Sequence, residues 1–445
     1  MMCVVAVLIA TTALAQDESR FRSDLRREGG DIRDGCGGGF NAKNVAGCVV
    51  VLATDDPLHV SIGSLAPQNG IGAGLAFSEH STPNNNWRIG WNADGVATPS
   101  GAWRTGVYIK FIHIPTSPGI GVIRPGTPGG APGRPPTVTV TEYPVLNTYA
   151  QVISLDKLTV EAGHNPFSEK QTIVGANVIF PIAFAPTRPL RIAFVGSANG
   201  RFVHVRSDTL ALDERRSFAQ FEEGLRLKPS AFGGHLRLNY LVGFEQFATS
   251  AESAASFHRW TLDLKHDIPL YRTISSAGPK DSNGPDECFE AIGSRCPPIS
   301  YSRNLEGSVG FRLLTTRATA ADGNRIPFYF QPTLGGSDIN GERLLSAFDD
   351  YRFRGPNLIA LQESVEHSIW GPFGIYLLAE QGKVTQDGEG FGSGDLEHSF
   401  GVGLTIRAGG FPLINFTFAW GNEGHHMIST IDPSLLGGSG RPSLY

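Results

Sequence analysis

Between Ser256 and Ile268 the polarity of the chain alternates with a period of two. Trp260, Leu262 and Leu264 share one face, and Arg259, Thr261, Asp263 and Lys265 share the other. The same division runs from His235 to Phe247, where Leu236, Leu238, Tyr240, Val242 and Phe244 oppose Arg237, Asn239 and Glu245. From Arg303 to Thr316, Leu305, Val309, Phe311 and Leu313 oppose Glu306, Ser308 and Arg312. Near the end, Phe400, Val402, Leu404 and Ile406 oppose Gly401, Gly403, Thr405 and Arg407, and Ile414, Phe416, Phe418 and Trp420 oppose Asn415, Thr417 and Ala419. Successive side chains of a β-strand point to opposite faces, so a period of two predicts strands with one greasy and one polar face. About 14 to 16 such segments lie between Val60 and His425, separated by Gly, Pro, Asn and Asp, and no long stretch has a helical period.

Strands that cross a bilayer need roughly 9 to 11 residues, apolar toward lipid and polar toward the lumen, with aromatic residues at both ends. Trp87, Trp91, Trp103, Tyr108, Trp260, Tyr271, Trp370 and Trp420 lie on or beside predicted strands and are candidates for such aromatic girdles. Only helices and closed barrels satisfy the backbone in lipid. The expected fold class is therefore all-β, a transmembrane antiparallel β-barrel spanning residues 57–445. Two stretches break the pattern, Ile114 to Pro136 and Ser275 to Pro298, and both are expected to be long loops on the extracellular side.

Composition sharpens this picture. Gly numbers 55 and Pro 29 among 445 residues, only 18% of residues are charged, and 27 are Phe, a mixture suited to many strands and turns. A formal charge of -5 argues against a nucleic-acid partner. Residues 1–15 form an apolar run ending in Ala-Leu-Ala, which reads as a secretory signal cleaved after Ala15, although no Lys or Arg precedes it. The run is too short to cross a bilayer as a helix. Residues 16–56, charged and then Gly-rich, read as a periplasmic lead-in or plug segment. With Cys3 removed, two close pairs remain, Cys36 with Cys48 and Cys288 with Cys296, and export makes them candidate disulfides in preference to free thiols or zinc ligands.

From Phe328 onward the chain carries Leu-Gly-Gly-Ser-Asp at Leu334 to Asp338, Tyr-Arg-Phe-Arg at Tyr351 to Arg354 and Ala-Glu-Gln-Gly-Lys-Val at Ala379 to Val384. This region, about 328–445, resembles the C-terminal barrel of the bacterial surface antigen family, within the superfamily of outer-membrane assembly and translocation barrels. The resemblance implies 16 strands and a loop folded into the lumen, held there by an Arg-Gly-Phe or Arg-Gly-Tyr motif whose arginine meets acidic groups on neighbouring strands. Aligned on Tyr351, Phe348 matches this motif, but Ser346 stands where the arginine would be. Arg343 lies three residues earlier, and Arg352 and Arg354 follow. Glu380 occupies the usual acidic position, with Glu363 and Glu366 as further candidates, and polarity alone leaves open which of those two faces the lumen. A charge-assisted hydrogen bond between such groups could pin a long loop inside a wet lumen. The superfamily's polypeptide-transport-associated domains find only about 40 residues between Gln16 and the first strand. The implied protein is a lone barrel or one that works beside a separate periplasmic partner.

No catalytic constellation stands out. His425, His426 and Glu423 read as a solvated turn before a metal site, and Ser168 near His164 and Asn165 lacks any supporting motif for a hydrolase. The Gly35 to Gly39 run has no Lys-Ser or Lys-Thr after it, so no phosphate-binding loop is expected. No cofactor or metal is called for. The expectation is a non-enzymatic barrel in the bacterial outer membrane, in contact with its lipid and concerned with envelope assembly or translocation. A diffusion porin, with Arg259, Lys265, Arg312 and Arg407 setting solute preference, and a secreted soluble β-rich binding protein are the alternatives.

Overall fold

A computed structural model describes residues 58–66, 69–84, 86–114, 143–161, 164–182, 190–231, 235–249, 255–276, 300–321, 324–336, 343–386, 391, 396–408 and 411–431. The expected signal, the expected lead-in and the four candidate disulfide cysteines lie outside these residues.

The described chain is built on 16 long antiparallel strands. They are β1 Leu58–Ser64, β2 Ile71–Asn84, β3 Trp87–Ala97, β4 Trp103–His113, β5 Val145–Glu161, β6 His164–Pro181, β7 Ile192–Ser207 and β8 Leu212–Leu227, followed by β9 Leu236–Ala248, β10 Phe257–Ser276, β11 Ser300–Ala320, β12 Asn357–Trp370, β13 Phe373–Thr385, β14 Glu397–Ala408, β15 Phe411–Gly421 and β16 Gly424–Ile431. Each strand after β1 pairs with the one before it. No helix among the described residues is long and apolar enough to cross a membrane.

The polarity of the sheet is the reverse of a soluble core. On the outer face Val107, Val174, Phe202, Phe221, Trp260, Val402, Leu404 and Phe418 are exposed, while Asp94, Asn147, Glu169, Gln220, Asp263, Glu380 and Arg407 are buried on the inner face. Water would make such an outer surface costly, and lipid makes it favourable. This face favours the membrane reading over the secreted soluble alternative. Of the girdle candidates, Trp87, Trp91, Trp260, Trp370 and Trp420 stand exposed. Trp103 and Tyr271 are half-buried, and Tyr108 is a correction: it points inward, with its hydroxyl donating to Gln151 Oε1 at 3.1 Å.

The sequence pattern places the last strand at Trp420, but β16 follows it, pairing Trp420 with His425 and Phe416 with Ser429. Its residues, Gly-His-His-Met-Ile-Ser-Thr-Ile, alternate too weakly in polarity to announce a strand, and the ladder to β15 makes it one. In an up-and-down sheet the connections alternate between its two ends. The Pro- and Gly-rich connection after β4 and the one after β10 therefore leave from the same end of the sheet, and the stretches expected to be extracellular loops lie largely outside the described residues. That end is opposite the one from which the β11–β12 connection leaves.

Candidate functional site

The β11–β12 connection turns back into the barrel. Its arms meet in a two-residue ladder, Thr333 with Arg354 and Leu334 with Phe353. The Leu-Gly-Gly segment makes the bend: Gly335 and Gly336 have φ of 101° and 57°, where a side chain is strained. A Cβ on Gly335 would lie 2.6 Å from Asp349 O, and one on Gly336 would lie 2.1 Å from Asp350 Oδ1. Main-chain bonds then knit the insert, from Gly335 N to Leu344 O at 3.0 Å, Leu344 N to Gly336 O at 3.1 Å and Tyr351 N to Gly335 O at 3.2 Å. Leu345 and Tyr351 also have positive φ, 57° and 62°, without being glycine. Both are buried, and packing holds them in a conformation that costs free energy locally.

At the position of the motif arginine, the main-chain N–H of Ser346 donates to Glu380 Oε2 at 2.6 Å. Gln362 Nε2 donates to Glu380 Oε1 at 2.8 Å and to the carbonyl of Arg343 at 3.2 Å. Ala347 N donates to Ser399 Oγ at 2.9 Å. The carboxylate on β13 thus grips the backbone of the insert. Arg343 is half-buried, and burial pulls its guanidinium below its ordinary value while the charges of Asp350 and Glu380 oppose that shift.

Phe348 is buried against Phe353, their ring centres 5.2 Å apart, in a cluster with Leu334, Leu344, Leu345, Leu358 and Ala419. Small residues on the strands make the room. A Cβ on Gly421 would lie 3.4 Å from the Phe348 ring and 3.1 Å from Ala347 Cβ, and one on Gly382 would lie 2.9 Å from Leu334 Cδ1. Arg352 forms a two-pronged pair with Glu423 in the β15–β16 turn, at 2.7 and 2.8 Å. His426 of β16 approaches Asp349 at 3.5 Å. Arg354 reaches the other way, donating to the carbonyls of Phe328, Val160 and Thr159 at 2.8, 3.1 and 3.2 Å. Burial pulls it down to about 10, so it stays charged at neutral pH. One insert therefore ties β5 to the β15–β16 hairpin across the lumen.

The two remaining acidic candidates separate. Glu366 is buried on the inner face, bridged to Arg407 and accepting from Thr405 Oγ1 at 3.1 Å. Arg407 also donates to Leu305 O at 2.8 Å, so this cluster links β11, β12 and β14. Glu363 stands exposed on the outer face beside Val365 and takes no part in holding the insert.

The arm that leaves β11 supplies a part that the polarity pattern did not announce. Phe328 packs edge-on against Phe167 at 5.1 Å, and Phe330 packs against Phe218, Phe247 and Phe257 at 5.0, 4.9 and 5.8 Å. Tyr329 donates to Glu214 at 2.9 Å, and its hydroxyl is raised above the usual value by burial first and by the Glu214 charge second. The lumen is thus filled with aromatic rings at the insert end. A signal was present: Phe167, Phe218, Phe247 and Phe257 share parity with the inward Glu169, Gln220, Glu245 and Arg259.

Below these rings a cavity of about 620 Å³ remains between the insert and β5–β12. Much of its polar wall is paired internally. Arg201 donates to Gln171 at 2.8 Å and to Gln220 at 2.5 Å, and Gln220 donates to Glu245 at 2.8 Å. Arg259 donates to Glu245 at 2.5 Å and to the carbonyl of Phe330 at 3.1 Å. Arg312 holds Asp263 at 2.8 and 2.9 Å, with Lys265 3.3 Å from the same carboxylate. Arg259, Lys265 and Arg312 are three of the four cations expected to steer solutes, and each is engaged by an acidic partner, as Arg407 is by Glu366. Among the described residues no group of His, Cys, Asp and Glu could hold a metal ion.

The fold is similar to that of BamA from Haemophilus ducreyi, in a form lacking POTRA domains 1-3. That structure superposes with a TM-score of 0.50 at 8% identity, covering 84% of this chain and 69% of that one. The chain shares its barrel fold with BamA. CdiB from Acinetobacter baumannii is also similar, with a TM-score of 0.48 at 10% identity over 82% of this chain. CdiB from Escherichia coli gives 0.43 at 11% identity over 85%. The chain spans only 56% and 61% of the two CdiB structures. No protein family matches the sequence, and no curated protein matches it.

Proposed function

We propose that this chain is an outer-membrane barrel of the assembly and translocation type, closed at rest by its own insert. The observation that carries the reading is the grip of Glu380 and Ser399 on the insert backbone, in a barrel that shares its fold with BamA. The apolar outer face supports residence in a bilayer, and the apolar N-terminal run supports export to it. A passive porin needs an open lumen, whereas here rings from the insert stack against four strands. The barrel's client, and any periplasmic partner that delivers it, would act by displacing the insert.

The test is fractionation of the native host, followed by electrophoresis of detergent extracts with and without boiling, then planar-bilayer conductance. The expected result is an outer-membrane band that shifts on boiling and a channel that is mostly closed. Phe330→Ala should raise the open time while leaving the heat shift intact. A soluble protein with no heat shift overturns the membrane reading, and a steadily open wild-type pore overturns the closed-barrel reading in favour of the porin.

A further inference from the structure

The outer face of β4 to β8 carries a lateral row in continuous register. Trp103 pairs with Ser154, Ser154 with Lys170, Lys170 with His204, and His204 with Arg215. The row lies at the insert end of the sheet. Toward the middle of the barrel the same strands expose Val107, Val174, Phe202 and Phe221, which marks the edge of the apolar band. Lys170 lies over the Trp103 ring, 5.7 Å from its centre. One step further from the band, Arg206 stands in register with Ser168 and Asp213.

Like charges directly opposite one another on a sheet are destabilising. Here three basic side chains occupy adjacent strands, and the local acids compensate only part of them. Asp213 Oδ1 lies 2.8 Å from His204 Nε2, and Asp208 lies 3.3 Å from Arg206. No ion pair joins Lys170 or Arg215 to an acid among the described residues. An aromatic ring with long basic side chains at the edge of an apolar band matches the headgroup region of a bilayer, where such side chains bury their stems and extend their charges outward.

We infer that this row seats the phosphate groups of anionic membrane lipids against the outside of the barrel. The inference rests on the membrane reading above, because only a bilayer brings phosphate to this height on an outward face. Lys170 and Arg215 flank His204 and supply two charges to one phosphate, with Arg206 beside them. The stacking of Lys170 on Trp103 holds its ammonium in the row.

Brominated lipids in vesicles test this, with the Trp103 signal taken as the difference in fluorescence quenching between wild type and Trp103→Phe. Brominated phosphatidylglycerol should be favoured over brominated phosphatidylcholine by about fivefold per uncompensated basic residue. The combined variant Lys170→Gln, Arg206→Gln, Arg215→Gln should lose that preference and keep its heat-modifiable migration. Inorganic phosphate should lower the preference no more than chloride of equal ionic strength does. Equal quenching by the two lipids, an unchanged preference in the variant, or specific competition by inorganic phosphate each overturns the inference. A wild type without heat-modifiable migration would instead overturn the membrane reading, so the two failures are distinguishable.

Discussion

Ser346 and Glu380 meet at 2.6 Å through a main-chain N–H and a carboxylate, although 34 residues of sequence separate them. The surface antigen pattern has an arginine side chain at this place. Here the peptide group itself does the binding, and the buried Ser346 brings the backbone close enough for the contact. A carboxylate accepting from a main-chain N–H and a side-chain amide is a charge-assisted acceptor, stronger than a neutral one.

Glu380→Gln keeps the shape of this acceptor and replaces one oxygen by a donor. Ser346 N and Gln362 Nε2 then compete for a single acceptor, and one is left facing an amide hydrogen. The expected cost is about 1 to 3 kcal/mol. It should appear as a lower temperature for the electrophoretic heat shift and as faster tryptic cleavage after Arg343, Arg352 or Arg354. Unchanged cleavage would mean that Glu380 does not hold the insert.

Gly421→Val tests the fit of Phe348. The added Cβ would lie 2.6 Å from His398 O and 3.1 Å from Ala347 Cβ, so either the strand or the insert must move. Overpacking of this kind costs about 1 to 3 kcal/mol. Displacement of the insert should raise single-channel open time, and a double variant with Phe348→Ala should recover part of the lost heat stability.

Glu366 and Glu363 lie three residues apart on one strand and should respond very unequally to neutralisation. Glu366→Gln breaks a buried pair with Arg407, at a typical cost of about 3 to 5 kcal/mol. Glu363→Gln removes a charge from an exposed outer position, and its effect should stay within about 0.5 kcal/mol. Heat-shift temperatures of the two variants in one detergent measure the contrast, and equal losses would contradict the assigned facing of β12.

The alternation of polarity by itself determined that this chain makes strands, how many to within two, and that each has a greasy face, because backbone geometry sends neighbouring side chains to opposite sides whatever the rest of the chain does. It did not decide which side a residue faces where apolar groups fill both. On β12, Leu358 and Ala360 are buried under the insert while Leu361 and Val365 face outward, so the parity that separates Glu363 from Glu366 was hidden. The inward phenylalanines were hidden for a related reason, since an apolar inward residue has meaning only once an insert arrives to cover it. Only the tertiary structure brought Phe330 to the rings of three strands, Arg354 to the carbonyls of β5 and Glu380 to the backbone at Ser346. Those contacts join residues far apart in the chain, and nothing local in the sequence specifies them.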